Sequence, residues 1–144
     1  MINLKTLINE IAVENPNARY CGILLSEESR SELLKMLYSK IPTGWKVIAH
    51  NMTIDPFKLC ADSKYCNISE LNSSKSLKVT HYGISDKACA VKVNYPANET
   101  RNKIPHVTIA IDETGGGKAK DSNSITNWVA LDHPIDITGT ITNL

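Results

Sequence analysis

His106 and Thr108 stand two residues apart in the run Pro105-His106-Val107-Thr108-Ile109-Ala110-Ile111, and Asn51 and Thr53 do the same in Ala49-His50-Asn51-Met52-Thr53-Ile54. Both runs have strand composition, and in a strand residues i and i+2 emerge on the same face. His106, Thr108 and Ala110 therefore share one face, with Val107, Ile109 and Ile111 on the other. In the earlier run Ala49, Asn51 and Thr53 share a face, and His50 falls by alternation with Ile48, Met52 and Ile54. Superimposing the apolar faces aligns Thr53 with Thr108 and puts Asn51, rather than His50, opposite His106. Two His-x-Thr strands facing each other across a cleft suit the splitting of a phosphodiester. One imidazole takes a proton from water or a ribose hydroxyl while the other donates one to the leaving oxygen. The threonine hydroxyls can donate to non-bridging phosphate oxygens, and this division of labour calls for no metal and no cofactor.

The elements that must position these residues follow from periodicity. Leu4, Leu7, Ile8 and Ile11 predict a short amphipathic helix ended by Asn15-Pro16-Asn17, and Tyr20 to Leu25 predicts a buried strand. Ser26 can cap the next helix, whose apolar face is Leu33, Leu37 and Ile41 and which Pro42-Thr43-Gly44 stops. Trp45 to Ile54 reads as a strand, and Asp55 to Lys75 as a long polar loop with one helical turn. Strands at Leu77 to Ile84 and Ala88 to Asn94 flank the hairpin turn Ser85-Asp86-Lys87, and a strand at Pro105 to Asp112 precedes Gly115-Gly116-Gly117. Ile135 to Ile141 alternates as a final half-buried strand. With no repeat and no linker, residues 1–144 read as one α+β domain of about six strands.

Composition narrows the classes. Sixteen Lys and Arg against 15 Asp and Glu give a net charge of +1, without the basic excess of a protein that tracks long duplex nucleic acid. A nucleic-acid ligand is then small, or the end of a strand. No stretch reaches the run of about 18 apolar residues needed to span a membrane, and no secretory signal is evident, so a cytoplasmic location is expected. On that expectation Cys21, Cys60, Cys66 and Cys89 are reduced thiols. The five residues between Cys60 and Cys66 do not match a zinc knuckle, and the Asn-x-Ser/Thr triplets are read as coincidence. Oligomeric state is not readable.

The order of strand Tyr20-Cys21-Gly22-Ile23-Leu24-Leu25, amphipathic helix, first motif strand, hairpin and second motif strand resembles the two-histidine, LigT-like phosphoesterases. Gly44 to Ile54 and Gly116 to Trp128, the latter containing Asp121-Ser122-Asn123, are similar to a branch related to RNA-repair proteins and the cyclic phosphodiesterase modules of tRNA ligases. The resemblance covers residues 19–144. It implies a bilobal α+β fold with antiparallel sheets around a central cleft. The implied activity is metal-independent opening of 2′,3′-cyclic phosphates, cyclic di- or oligonucleotides, or RNA ends. It makes His106 a catalytic histidine and Thr53 and Thr108 phosphate ligands. Asn51 stands where the pattern has its first histidine, and asparagine cannot cycle a proton near neutral pH. Three explanations remain open: a binder that has lost turnover, an inactivating substitution, or replacement by His50, which the alternation disfavours.

Other candidates carry bland alternatives. Tyr82 is a candidate to stack on a base, against ordinary packing with strand neighbours. Lys118, Ser122 and Asn123 are candidate contacts to a phosphate or base edge, against an ordinary turn. Gly115-Gly116-Gly117-Lys118 lacks the phosphate-loop spacing and reads as a flexible loop at the cleft mouth. His81 faces cleft or core, and His133 reads as surface.

Overall fold

Alternate residues of the strands turn inward and collect one apolar set. The computed structural model describes residues 17–144; the helix expected at Leu4 to Ile11 lies outside them. The strands are β1 (Cys21–Leu25), β2 (Lys46–Val47), β3 (Asn51–Asp55), β4 (Ser74–Ile84), β5 (Ala88–Asn94), β6 (His106–Ile111) and β7 (Val129–Asn143). Ile23, Met52, Ile54, Leu77, Val79, Val91, Val107, Ile109, Ile137 and Ile141 are fully buried together. These residues alternate with outward-facing neighbours, as the wall of a barrel requires.

Each strand of the ring has a partner on both edges. β1 pairs with β3 and β7, β7 also with β4, β4 with β5, β5 with β6, and β6 with β3, every pair antiparallel. The result is a closed six-stranded antiparallel β-barrel, with β2 extending the β3 side of β6 through Lys46↔Ile111 and Val47↔Ala110. Closure leaves no unpaired sheet edge around the ring. It also overturns the bilobal α+β arrangement, which would place the motif strands in opposing lobes. Here β3 and β6 are neighbours in one wall, joined at Met52↔Val107.

Among the described residues there is one α-helix, α1 (Glu27–Leu37). Ser26 Oγ accepts from the Ser29 amide at 3.2 Å, Glu27 and Glu28 occupy the first turn, and Leu33 and Leu37 enter the core. Ile41 lies beyond the helix, after a 3₁₀ turn at Tyr38–Lys40.

Three local expectations change as well. The final strand begins at Val129, not Ile135: residues 129–134 are mostly exposed and hide the period, and the β4–β7 register slips between Val79↔Ile135 and His81↔Ala130. Pro134 sits inside that irregularity, where a missing amide is tolerated. The Gly115 to Gly117 stretch is an ordered turn: Gly116 has φ +84°, Gly117 donates to the Asp112 carbonyl at 2.7 Å, and a Cβ there would meet Lys87 O at 2.5 Å. Cys60 and Cys66 form a disulfide instead of remaining reduced. A 3₁₀ turn at Cys60–Asp62 and the Cys66 amide donating to Ser63 O fold the chain back, bringing the two Cα atoms to 5.3 Å. Cys21 and Cys89 are free and buried, and burial pushes both thiols up to about 11.

Candidate functional site

β6 is buried on both faces because its outward residues are also covered. Val107 and Ile109 fill the barrel, while His106 and Thr108 face a cleft on the outside of the wall. This cleft of about 360 Å³ is lined by Tyr20, Ile48, His50, Asn51, Thr53, Pro56, Asn102, His106, Thr108, Ala119, Lys120 and Asn123. Stepping one residue each way from Met52↔Val107 along an antiparallel ladder sets Thr53 beside His106 and Asn51 beside Thr108. The sequence reading set Asn51 opposite His106; adjacent antiparallel strands reverse that order.

His106 is 8% exposed, and its Nδ1–H donates to the Ile104 carbonyl at 2.7 Å. A carbonyl can only accept, so the neutral ring carries its proton on Nδ1 and leaves Nε2 as a lone pair. Burial holds this imidazole below the usual histidine range, although the Ile104 bond pulls the other way. The ring is therefore set up as a proton acceptor.

The Thr108 hydroxyl lines the cleft and is bonded within the protein. Its Oγ1 lies 2.8 Å from Ser122 Oγ and donates to the Ala119 carbonyl at 3.4 Å, tying the 3₁₀ segment Ala119–Ser124 to β6. Ser122 is buried and acts through that tie, which brings Lys120 and Asn123 to the cleft. The Thr53 hydroxyl is the better placed donor: it lines the cleft and has no hydrogen bond to a described side chain or carbonyl. Lys118 is exposed outside the cleft lining, its backbone amide donating to Asp121 Oδ2 at 2.8 Å. Tyr82 is not brought to the site; it packs against the core with the Lys40 ammonium 5.1 Å from its ring.

The largest surprise is His50. Between β2 and β3 the pairing to β6 slips, from Val47↔Ala110 to Met52↔Val107, and Ala49 takes φ +42°. Such a bulge re-aims side chains. Ala49 is buried, while His50 and Asn51 both line the cleft. The bend is pinned on three sides: Ala49 N–H to Thr108 O at 3.0 Å, Leu25 N–H to His50 O at 3.0 Å, and the Arg30 guanidinium to Ile48 O at 3.4 Å. With its amide oriented so, Asn51 Nδ2 donates to Tyr20 Oη at 2.9 Å and His50 Nδ1 at 2.8 Å.

Sequence reasoning missed Tyr20, Pro56, Asn102 and Lys120 too. Tyr20 was accessible by alternation with Gly22 and Leu24, which pair with Thr53 and Asn51. Asn102 arrives through a fold-level anchor: its Nδ2 donates to Thr53 O at 3.4 Å, next to Arg101, which pairs with the buried Asp55 at 3.0 Å. Burial alone would raise the Asp55 carboxyl. Hydrogen bonds from Arg101, Ser63 and the Phe57 amide, with the Arg101 charge, outweigh it and hold the group below its usual value.

The cleft lining contains two imidazoles, a lysine and three asparagines, but no carboxylate. Such a surface favours an anion with several acceptor oxygens. Among the described residues no group of three or more His, Cys, Asp or Glu side chains converges as metal ligands would, and no helix is long and apolar enough to cross a membrane. No protein-family model matches the sequence, and no curated protein matches it.

Proposed function

We propose that the cleft binds the phosphodiester of a small nucleotide and that His106 acts on it by proton transfer, a chemistry that needs no metal ion. The ligand class is a 2′,3′-cyclic phosphate, a cyclic di- or oligonucleotide, or an RNA end. The observation that carries this reading is the carboxylate-free lining, in which Lys120, Thr53, Asn102 and Asn123 share one cleft with the buried His106 imidazole. A volume of about 360 Å³ lies within the range of small-molecule sites. The likeness to two-histidine phosphoesterases enters this proposal through the motif residues alone, since its bilobal fold is not the fold of this chain. A cytoplasmic location belongs to the proposal, and the Cys60–Cys66 disulfide weighs against it.

Asn51 favours a second reading, in which the protein binds and sequesters such a nucleotide without turnover. Loss of one acid or base costs about 10²–10⁴-fold unless another group takes its part. Calorimetry and cleavage assays on one panel of 2′,3′-cyclic and cyclic oligonucleotides separate the two. The first reading predicts saturable binding and cleavage by the unmodified chain. Saturable binding with no cleavage of any member would establish the second, and absence of both would remove the phosphodiester reading.

A further inference from the structure

We infer that His50 is the second proton-transfer group of the cleft, supplying the imidazole that position 51 lacks; this rests on the phosphodiester reading above. The geometry that carries it is the bulge at Ala49, which turns His50 and Asn51 toward the same cleft as His106. A non-glycine residue held at positive φ persists only where its surroundings over-determine it, and such positions cluster at functional sites. Here the backbone bonds to Thr108, Leu25 and Arg30 do so.

The Asn51 amide completes the device. Held by Tyr20 Oη, it touches His50 Nδ1 and leaves Nε2 without a hydrogen bond to any described residue, on a side chain that is exposed and lines the cleft. Asparagine presents either a donor or an acceptor, so it can hold Nδ1 whether or not that nitrogen carries a proton. In hydrolysis of a cyclic phosphate, neutral His106 takes a proton at Nε2 from water as the water oxygen bonds to phosphorus. The bond from phosphorus to the leaving ribose oxygen breaks, and that oxygen takes a proton from Nε2 of the His50 imidazolium. One water is consumed, His106 ends protonated and His50 neutral, and a proton passing through solvent restores both.

The titratable groups to reckon with are Tyr20 and Lys120 in the cleft and Lys92, the register partner of His106 on β5. None of them changes when His50→Gln is made, so that variant isolates the imidazole. Rates are measured on nucleoside 2′,3′-cyclic monophosphates and on a nucleoside 4-nitrophenyl phosphodiester, whose leaving phenolate needs little protonation. On the cyclic phosphates His50→Gln is expected to lose about 10²–10⁴-fold in kcat with KM little altered. The fall in rate at high pH, which reports loss of the acid's proton, should vanish. On the nitrophenyl ester the loss should shrink to within about tenfold, because less of the rate depends on the acid. An equal loss on both esters, or none on either with an unaltered pH profile, would overturn the role of His50 while leaving the phosphodiester reading standing. Failure of the unmodified chain to cleave either ester would overturn the role of His50, and failure to bind either as well would remove the phosphodiester reading with it.

Discussion

Replacing His106 with alanine is expected to lower cleavage of a 2′,3′-cyclic nucleotide by about 10²–10⁴-fold, the usual cost of removing a positioned base. The expectation rests on the ring's buried state and on its Nδ1 bond to Ile104, which together leave Nε2 able to accept a proton. Because burial holds the imidazole neutral, the parent should keep its activity on the acid side of the ordinary histidine range, and the low-pH limb should disappear in the variant. Steady-state rates across pH, with a thermal melt to confirm folding, are the measurement. Unchanged rates would remove His106 from the mechanism.

The second large effect is on stability. Arg101→Ala leaves the fully buried Asp55 carboxylate with only Ser63 Oγ at 2.7 Å and the Phe57 amide at 3.0 Å. Removing one partner leaves the other charge buried and unpaired, and although the 35% exposure of the Arg101 side chain screens part of the loss, the variant is expected to unfold at a clearly lower urea concentration than the parent at neutral pH. The sign with pH is fixed by the lowered carboxyl of Asp55. Stability from this group is fully present above its unfolded value of about 3.9 and is lost as pH falls through the still lower folded value. Without the Arg101 bond and charge the carboxyl rises from its lowered position, so acid costs the variant less stability than it costs the parent. Urea unfolding from pH 7 down to pH 3 should therefore show the gap narrowing; a gap constant with pH would contradict the assignment. Arg101 also stacks 5.4 Å from the Phe57 ring centre and 5.2 Å from that of Tyr65, so part of the loss is packing.

How far the molecule could be read in advance depended on whether a signal was local. The Ser26 cap, Leu33 and Leu37 on the apolar face of α1 and the Ser85-Asp86-Lys87 turn between β4 and β5 are local, and they stand where the sequence indicates, whereas Ile41 falls beyond the helix end. The alternation of β6 is local too, and it correctly turns His106 and Thr108 away from Val107 and Ile109. Barrel closure is not local. It depends on β7 pairing along both β1 and β4, and the exposed residues 129–134 carry no period to announce it. The Cys60–Cys66 bond depends on a turn that spacing alone does not specify.

His50 illustrates the same limit at the site. Strict alternation assigns it to the core side of its strand, and the assignment fails because Ala49 is left-handed. Glycine or asparagine at position 49 would have hinted at that conformation, whereas alanine does not. A two-residue slip in pairing then adds an imidazole to the cleft that the pattern had excluded.

The four histidines provide the most direct test of the central claim, that a nucleotide phosphate sits between His50 and His106. Imidazole resonances are followed by NMR while a nucleoside 2′- or 3′-monophosphate is added. His81, which bonds Thr80 Oγ1 at 2.8 Å, and His133 both lie outside the cleft and serve as internal references. The account predicts that His50 and His106 shift together along one saturable curve with a single Kd, while His81 and His133 stay in place. Shifts absent from His50 and His106, or equal in all four, would contradict it.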